Sequence, residues 1–331
     1  LKNKSKIGIF KKTRYMFEYF GVFLAFKTIR ALPLSVLFGI AKSAALTIYI
    51  VPSFRKLLVA NLKVAFPEKS SSEINALARK SFSNLVLSLL EFFWFMDKPE
   101  RIEKHTVYKN ETHEFTEKSI SDGTGFIFVV PHLGNWELAG LLVSHFDNIP
   151  FAVVAREVRN PYLHNFVNSS RMIEGNRIID AKGAIKGMMK ALKDGCGVAT
   201  LIDQNSRVRD GGIFVNFFGL PVPTSRAPAL FARKLNVPVI VGGCIRKGKK
   251  YESFLKPLPK TTGEYKDDAE LIQALMKITE DLVREHPEQY LWLYKRFQNI
   301  PKDADEKLIK QYPYYATITT EKFYDKPSAR K

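Results

Sequence analysis

"FIFVVPHLGNWELAG", residues 126–140, runs from an unbroken apolar block through a proline into a polar cluster, and then into a second apolar block. A short continuous apolar run bounded by a turn residue fits a strand buried on both faces. Asn135 is a good helix N-cap, and "WELAGLLVSHF" continues as a helix. The stretch therefore reads as strand, turn, helix. Five residues on a helix turn through about 500°, so His132 and Glu137 would face different ways if both were helical. They can meet only if His132 lies in the turn and folds back over the helix start, which Gly134 permits. A carboxylate there would fix the imidazole tautomer and raise the basicity of the other nitrogen, making a general base. The competing reading is a helix-capping turn with a solvated histidine.

The pattern repeats outward from this unit. "TGFIFVV", "PFAVVA", "GVATLID" and "VPVIVGGCI" are short β-rich runs, separated by helical stretches such as "AIKGMMKALKDG" and "SRAPALFARKLN". Such alternation predicts an α/β fold: a mixed, largely parallel central sheet flanked by helices. Sites in such sheets gather at the carboxyl ends of strands, where His132 falls. Upstream, Ser70 and Glu73 have capping-box spacing, and apolar residues from Ile74 to Phe93 recur every three or four positions. One long amphipathic helix is expected over 70–97.

The first fifty residues differ. Lysines and Arg14 precede two apolar runs, 19–26 and 31–51, the second interrupted only by Pro33 and Lys42. A membrane-spanning helix needs roughly 20 mostly apolar residues, which the second run supplies, but Lys42 is costly near its middle. A helix pair lying in the membrane interface is the other reading. The expected organisation is a membrane-associated helical segment over 1–56, an α/β domain over 57–300 and a polar, poorly ordered tail over 301–331.

Among 331 residues, 51 Lys and Arg face 33 Asp and Glu, a net charge of +18. That field suits nucleic acid, an anionic membrane or an acidic protein equally. No nucleic-acid motif accompanies it. The two cysteines, Cys196 and Cys244, have no metal-ligand spacing and read as small buried apolar residues. No Gly-x-Ser-x-Gly elbow and no zinc-binding pattern is present, so no metal is expected. Gly243 to Lys249 has phosphate-loop spacing, but Lys250 stands where a Ser or Thr is required, and a basic hairpin turn is expected instead. A base without its own nucleophile suggests direct attack by a substrate hydroxyl.

Five motifs in order give the chain a resemblance to the bacterial lipid A biosynthesis acyltransferases. They are "NLKVAFPEKSSSEI" (61–74), "HLGNWE" (132–137), "AREVRNPYLHNFVNSSR" (155–171), "DQNSRVRDGGIFVNFFGLPVPTSRAPA" (203–229) and "PEQYLWLYKRF" (287–297). The chain departs from the family pattern after Asp203-Gln204-Asn205, where "DGG" comes late, and at Tyr294-Lys295-Arg296, where His-Arg-Arg is usual. The resemblance implies an enzyme of the cytoplasmic face of the inner membrane, with no cofactor. It would move a fatty acyl chain from acyl carrier protein to a lipid A precursor. Relatives that use coenzyme A thioesters and other glycolipids keep a second acceptor class open, as a lysophospholipid does. A thioesterase and a basic, non-enzymatic membrane-binding protein are further alternatives.

On this reading His132 and Glu137 form the catalytic dyad. Amides near Gly134 and Asn135 are candidate oxyanion donors. Arg156, Arg159 and Arg171 are candidate phosphate ligands, and Asn160 belongs to the same motif. Asp203 is read as a supporting carboxylate or a turn acid, with Gln204 beside it. Phe214, Phe217, Phe218 and Gly219 are candidates for an acyl channel, and Thr224 for a substrate contact or a helix cap.

Overall fold

The computed structural model describes residues 8–121, 125–155, 158–171, 175–180 and 184–325. The chain opens with helices α1 (Ile9–Ala31), α2 (Leu34–Ala44), α3 (Thr47–Ile50), α4 (Pro52–Ala65), α5 (Ser71–Phe95) and α6 (Pro99–His105). The α/β body follows: β1 (Thr106–Val107), α7 (Asn110–Ser121), β2 (Phe126–Val129), α8 (Trp136–Asp147), β3 (Phe151–Ala155), α9 (Pro161–Arg171), β4 (Arg177–Asp180), α10 (Ala184–Lys193), β5 (Gly197–Thr200), β6 (Gly212–Phe217), β7 (Leu220–Ser225), α11 (Ala227–Leu235), β8 (Val239–Lys247), β9 (Lys250–Pro257) and α12 (Asp268–Glu285). It closes with β10 (Asn299–Ile300), α13 (Glu306–Ile309), β11 (Thr317–Ile318) and α14 (Glu321–Tyr324).

Seven strands form the central sheet in the order β1-β9-β8-β2-β5-β3-β4. Every pairing is parallel except β8 with β9, the basic hairpin turning at Gly248. β2 shows why the opening stretch is apolar throughout. Its alternate residues feed two cores: Phe126, Phe128 and Val130 pack with α2, α8 and the second half of α5, while Ile127 and Val129 pack with α10, α11 and α12. A strand covered on both faces has no polar side to show. The long helix α5 starts at the expected capping box, Ser70 with Glu73, and its two halves serve the two cores.

Three expectations change. The apolar run 31–51 is not one helix: it divides into α2 and α3, and the pair bends by 97° into α4. Among the described residues no single helix is long and apolar enough to cross a membrane. Leu37, Ala41 and Ile48 are buried against the body, so much of the run's apolarity is core. Second, the tail folds back on the body. Tyr312 donates its hydroxyl to Pro221 O (2.6 Å), Arg209 Nη1 donates to Lys322 O (2.6 Å), and β11 pairs with β10. Its aromatic residues, too sparse to set a period, supply the contacts. Third, Thr224 lies within β7 and is fully buried, so it caps no helix.

The turn after β2 is held by backbone. Gly134 N–H donates to Gln289 O (3.0 Å), Asn135 N–H to Cys244 O (2.9 Å) and Leu291 N–H to His132 O (3.0 Å). Gly134 has φ +63°, and a Cβ there would sit 2.0 Å from Cys244 O. Left-handed backbone and main-chain contact both demand glycine. Gly134→Ala should therefore lower unfolding free energy by at least about 2 kcal/mol in urea titration. A loss under about 0.5 kcal/mol would mean the turn is not clamped as described.

Candidate active site

β2 and β5 are parallel neighbours with Val129 opposite Thr200. Val130 N–H extends the pairing by donating to Thr200 O (2.9 Å). Two residues further on, the same offset sets His132 opposite Asp203. The carboxylate takes the histidine at two points: backbone N–H to Oδ2 (2.8 Å) and Nδ1 to Oδ1 (2.7 Å). Gln204 Nε2 lies 3.1 Å from His132 Nε2. With Nδ1–H donating to Asp203, the neutral ring presents Nε2 as an acceptor, and the Gln204 amide is its donor.

Both groups are out of water: His132 is 8 % exposed and Asp203 2 %. Burial opposes the imidazolium, but the charge of Asp203, the hydrogen bond to it and the charge of Glu137 outweigh burial and hold His132 above its ordinary value. Burial likewise opposes the carboxylate, yet His132 and the Arg296 guanidinium keep Asp203 below the usual range. Arg296 is itself buried, fixed by Asn205 Oδ1 (2.9 Å), Pro223 O (2.9 Å) and Thr224 Oγ1 (2.5 Å). Tyr290, also buried beside Asp203, has its phenol pushed well up, first by burial and then by that carboxylate. A neutral phenol and a fixed cation thus flank the acid that orients the base.

The expected His132–Glu137 grip is replaced by His132–Asp203. α8 begins at Trp136, so Glu137 rides the helix, whereas the imidazole is drawn to the end of β5. Glu137 shares with His132 the wall of a chamber of about 270 Å³. Val130, Trp136, Leu141, Phe151 and Val153 supply apolar lining, and Gly140 leaves one wall without a side chain. Trp136 stands with its ring 5.3 Å from that of His132. A mostly apolar pocket with a few convergent polar groups suits a chain-like ligand with a reactive end.

The Gly134 and Asn135 amides are not oxyanion donors here, since both are spent on carbonyls. Asn135 caps α8, its Oδ1 accepting from Leu138 N–H (3.0 Å), while its Nδ2 donates to Glu91 Oε2 (2.8 Å). Glu91 is fully buried in a fork with Arg246 (2.9 and 2.6 Å) and accepts from Tyr251 (2.5 Å). Removing one partner of such a buried pair typically costs about 3–5 kcal/mol, so the network fixes the start of α8 firmly.

The remaining candidates scatter. Arg156 and the side chain of Arg171 lie outside the described residues. Arg159 is exposed. Asn160 is buried as the cap of α9, Oδ1 accepting from Tyr162 N–H (3.0 Å) and Nδ2 donating to Tyr15 O (2.8 Å). Phe214 rests on Phe323 and Tyr324. Phe217 is core, and Phe218-Gly219, both at positive φ, make the β6–β7 turn. None of the three phenylalanines lines the His132 chamber. Their spacing serves a hairpin, which packs its own aromatics. Among the described residues no three His, Cys, Asp or Glu gather closely enough to hold a metal ion.

A buried histidine held by a carboxylate, at the carboxyl end of a parallel sheet and beside an apolar chamber, is an arrangement suited to activating a hydroxyl or water against a chain-bearing substrate. The chain belongs to the bacterial lipid A biosynthesis acyltransferase family, whose model matches residues 4–299. It is similar to the lipid A biosynthesis lauroyltransferase of Escherichia coli (27 % identity over 258 residues; 76 % of this chain, 81 % of the relative). Similarity extends to the palmitoleoyltransferase of the same organism (25 % over 244 residues; 73 % and 78 %) and to its myristoyltransferase (23 % over 245 residues; 73 % and 75 %). The protein is accordingly an acyltransferase by family.

NMR of ¹⁵N-labelled histidine should find His132 with its proton on Nδ1 and titrating above about pH 6.5. In Asp203→Asn both raising influences of Asp203, its charge and its hydrogen bond to the charged ring, are lost while burial and the charge of Glu137 remain, so the midpoint should move to lower pH. A midpoint that ignores Asp203→Asn but shifts with Glu137→Gln would restore the histidine–glutamate pairing.

Proposed function

We propose that the protein transfers a fatty acyl chain from an acyl carrier protein thioester to a hydroxyl of a lipid A precursor, at the cytoplasmic face of the inner membrane. The observation that carries this reading is the His132–Asp203 pair opening onto the apolar chamber, in a member of this family. The acyl chain lies in the chamber with its thioester carbonyl near His132. The acceptor hydroxyl displaces the Gln204 amide from Nε2 and gives up its proton there. The oxygen attacks the carbonyl, the tetrahedral intermediate collapses, and the C–S bond breaks. The departing thiolate takes the proton back from the imidazolium. Asp203 holds the ring in its working tautomer and stabilises the transient imidazolium. General base catalysis of this kind typically contributes about 10²–10⁴-fold. Glu137 adds negative charge at the same mouth, which also favours the imidazolium. No cofactor enters this scheme; the thioester is a co-substrate.

Membrane residence is supported by the surface of α1. Phe10, Phe17 and Leu24 recur at seven-residue spacing with Phe20 between, all exposed, and Lys11, Lys12, Arg14 and Lys27 lie on the same helix. Exposed aromatics with basic neighbours suit the boundary between headgroups and acyl chains of an anionic bilayer. The excess of positive charge also favours docking of an acidic carrier protein.

Mass spectrometry of lipid A from cells with and without the gene should show one acyl chain missing in the latter. Complementation by His132→Ala should fail. Filling the open wall with Gly140→Leu should shift the transferred chain towards shorter lengths. Unchanged lipid A alongside an altered glycolipid, or release of free fatty acid with no acylated lipid, would overturn the assignment.

A further inference from the structure

At the 97° elbow between α3 and α4 the molecule carries an apolar tip. Leu46 is 62 % exposed, Ile50 76 %, and Phe54 is also exposed. Three large apolar groups left in water on one short bend are the kind of surface that marks an interaction site. Directly beside them, Tyr49, Arg55, Lys56 and Lys63 meet the first turns of α5 at Ser71 and Asn75, around a cleft of about 430 Å³. It shares no lining residue with the His132 chamber.

The cleft's cations are positioned without being neutralised. Arg55 Nε donates to the neutral Asn75 Oδ1 (3.2 Å), and its guanidinium lies 5.1 Å from the Tyr49 ring centre. Arg79 approaches the same ring at 5.5 Å, and Lys56 Nζ sits 4.2 Å over Tyr314. Among the described residues none of Arg55, Lys56, Lys63 and Arg79 forms an ion pair with a carboxylate. Glu73, on the first turn of α5, is occupied by Ser70. A fork-shaped guanidinium with two ammonium groups around one cleft suits a tetrahedral phosphate, whose oxygens can take several donors at once, better than a single carboxylate. The adjoining apolar tip says that this anion is attached to something into which Leu46, Ile50 and Phe54 can sink.

We propose that the cleft is a second lipid site, one that takes the phosphate of an anionic membrane phospholipid while the elbow tip enters the acyl-chain boundary. It deepens, and rests on, the membrane-surface reading given above. The site would fix the depth and tilt of the body on the bilayer without touching the reacting groups.

The test is cosedimentation of the full chain with vesicles of phosphatidylcholine containing phosphatidylglycerol, and with phosphatidylcholine alone. The triple variant Arg55→Ala/Lys56→Ala/Lys63→Ala should bind the anionic vesicles at least about tenfold more weakly, as expected for three interfacial charges. A control that removes the same charge from α10, Lys186→Ala/Lys190→Ala/Lys193→Ala, should change binding less than about twofold. Ile50→Glu should weaken binding to both kinds of vesicle, which tests the tip independently of the cleft. Equal losses in the two triple variants would overturn the proposal in favour of diffuse charge. So would a cleft variant that binds vesicles normally but loses turnover only with a carrier-protein donor, because the cleft would then dock that acidic protein. Acyl transfer in detergent micelles should persist in the cleft variant. If the wild type itself transfers no acyl chain there, the acyltransferase reading fails separately from the vesicle result.

Discussion

Asp203 grips His132 twice, through its backbone N–H and through Nδ1, and the site follows from that double contact. One oxygen fixes where the chain turns after β2. The other fixes which ring nitrogen carries the proton. Both bonds are made away from water, where a charge-assisted hydrogen bond is strong and an unpaired carboxylate would be costly. The surroundings answer that cost: Arg296 and Tyr290 lie behind Asp203, and Arg296 is in turn held by Asn205, Pro223 and Thr224. The fourth sequence motif, 203–229, therefore supplies the acid and much of its support, while the closing motif supplies the buried cation.

The opening motif and the turn are tied to the same scaffold. Asn61 on α4 donates to the carbonyls of Trp292 and Tyr294. Ser81 on α5 donates to Tyr290 O, and Gln289 bonds the backbone of Arg246 in both directions. The segment 289–294 is thus a strap, and Gly134 docks on it. Residues that look like separate signatures in the sequence are the points where helix, strap and turn hold one another. Their conformational cost is met by buried backbone pairing, which holds in place the chamber wall formed by α8 and the turn after β2.

Much of this was legible in the sequence. β2, β3, β5 and β8 fall on the four runs read as strands, and the Ser70–Glu73 capping box and the Asn135 cap sit where local chemistry puts them. Strands covered on both faces and helix caps are local properties, so one sequence reveals them. The partner of His132 is not local. Glu137 is nearer in the chain, and only the β2–β5 register brings Asp203, 71 positions on, to the imidazole. A signal did exist: each residue lies three positions beyond its strand, His132 after Val129 and Asp203 after Thr200. It becomes readable once those two strands are known to be parallel neighbours. Phe214, Phe217 and Phe218 could not be placed for a related reason, since a hairpin core and a ligand channel ask for the same residues. The run 31–51 left a span and an interfacial helix pair both open, because apolar composition does not separate a span from helices that bend and bury one side.

The central claim is that Asp203 makes His132 the base. Single-turnover acyl transfer from a thioester donor, followed by rapid quench at saturating acceptor, isolates the chemical step. The account predicts that Asp203→Asn slows this step by about 10²–10⁴-fold while donor affinity stays within a few-fold of wild type. A chemical step within a few-fold of wild type in that variant would contradict it.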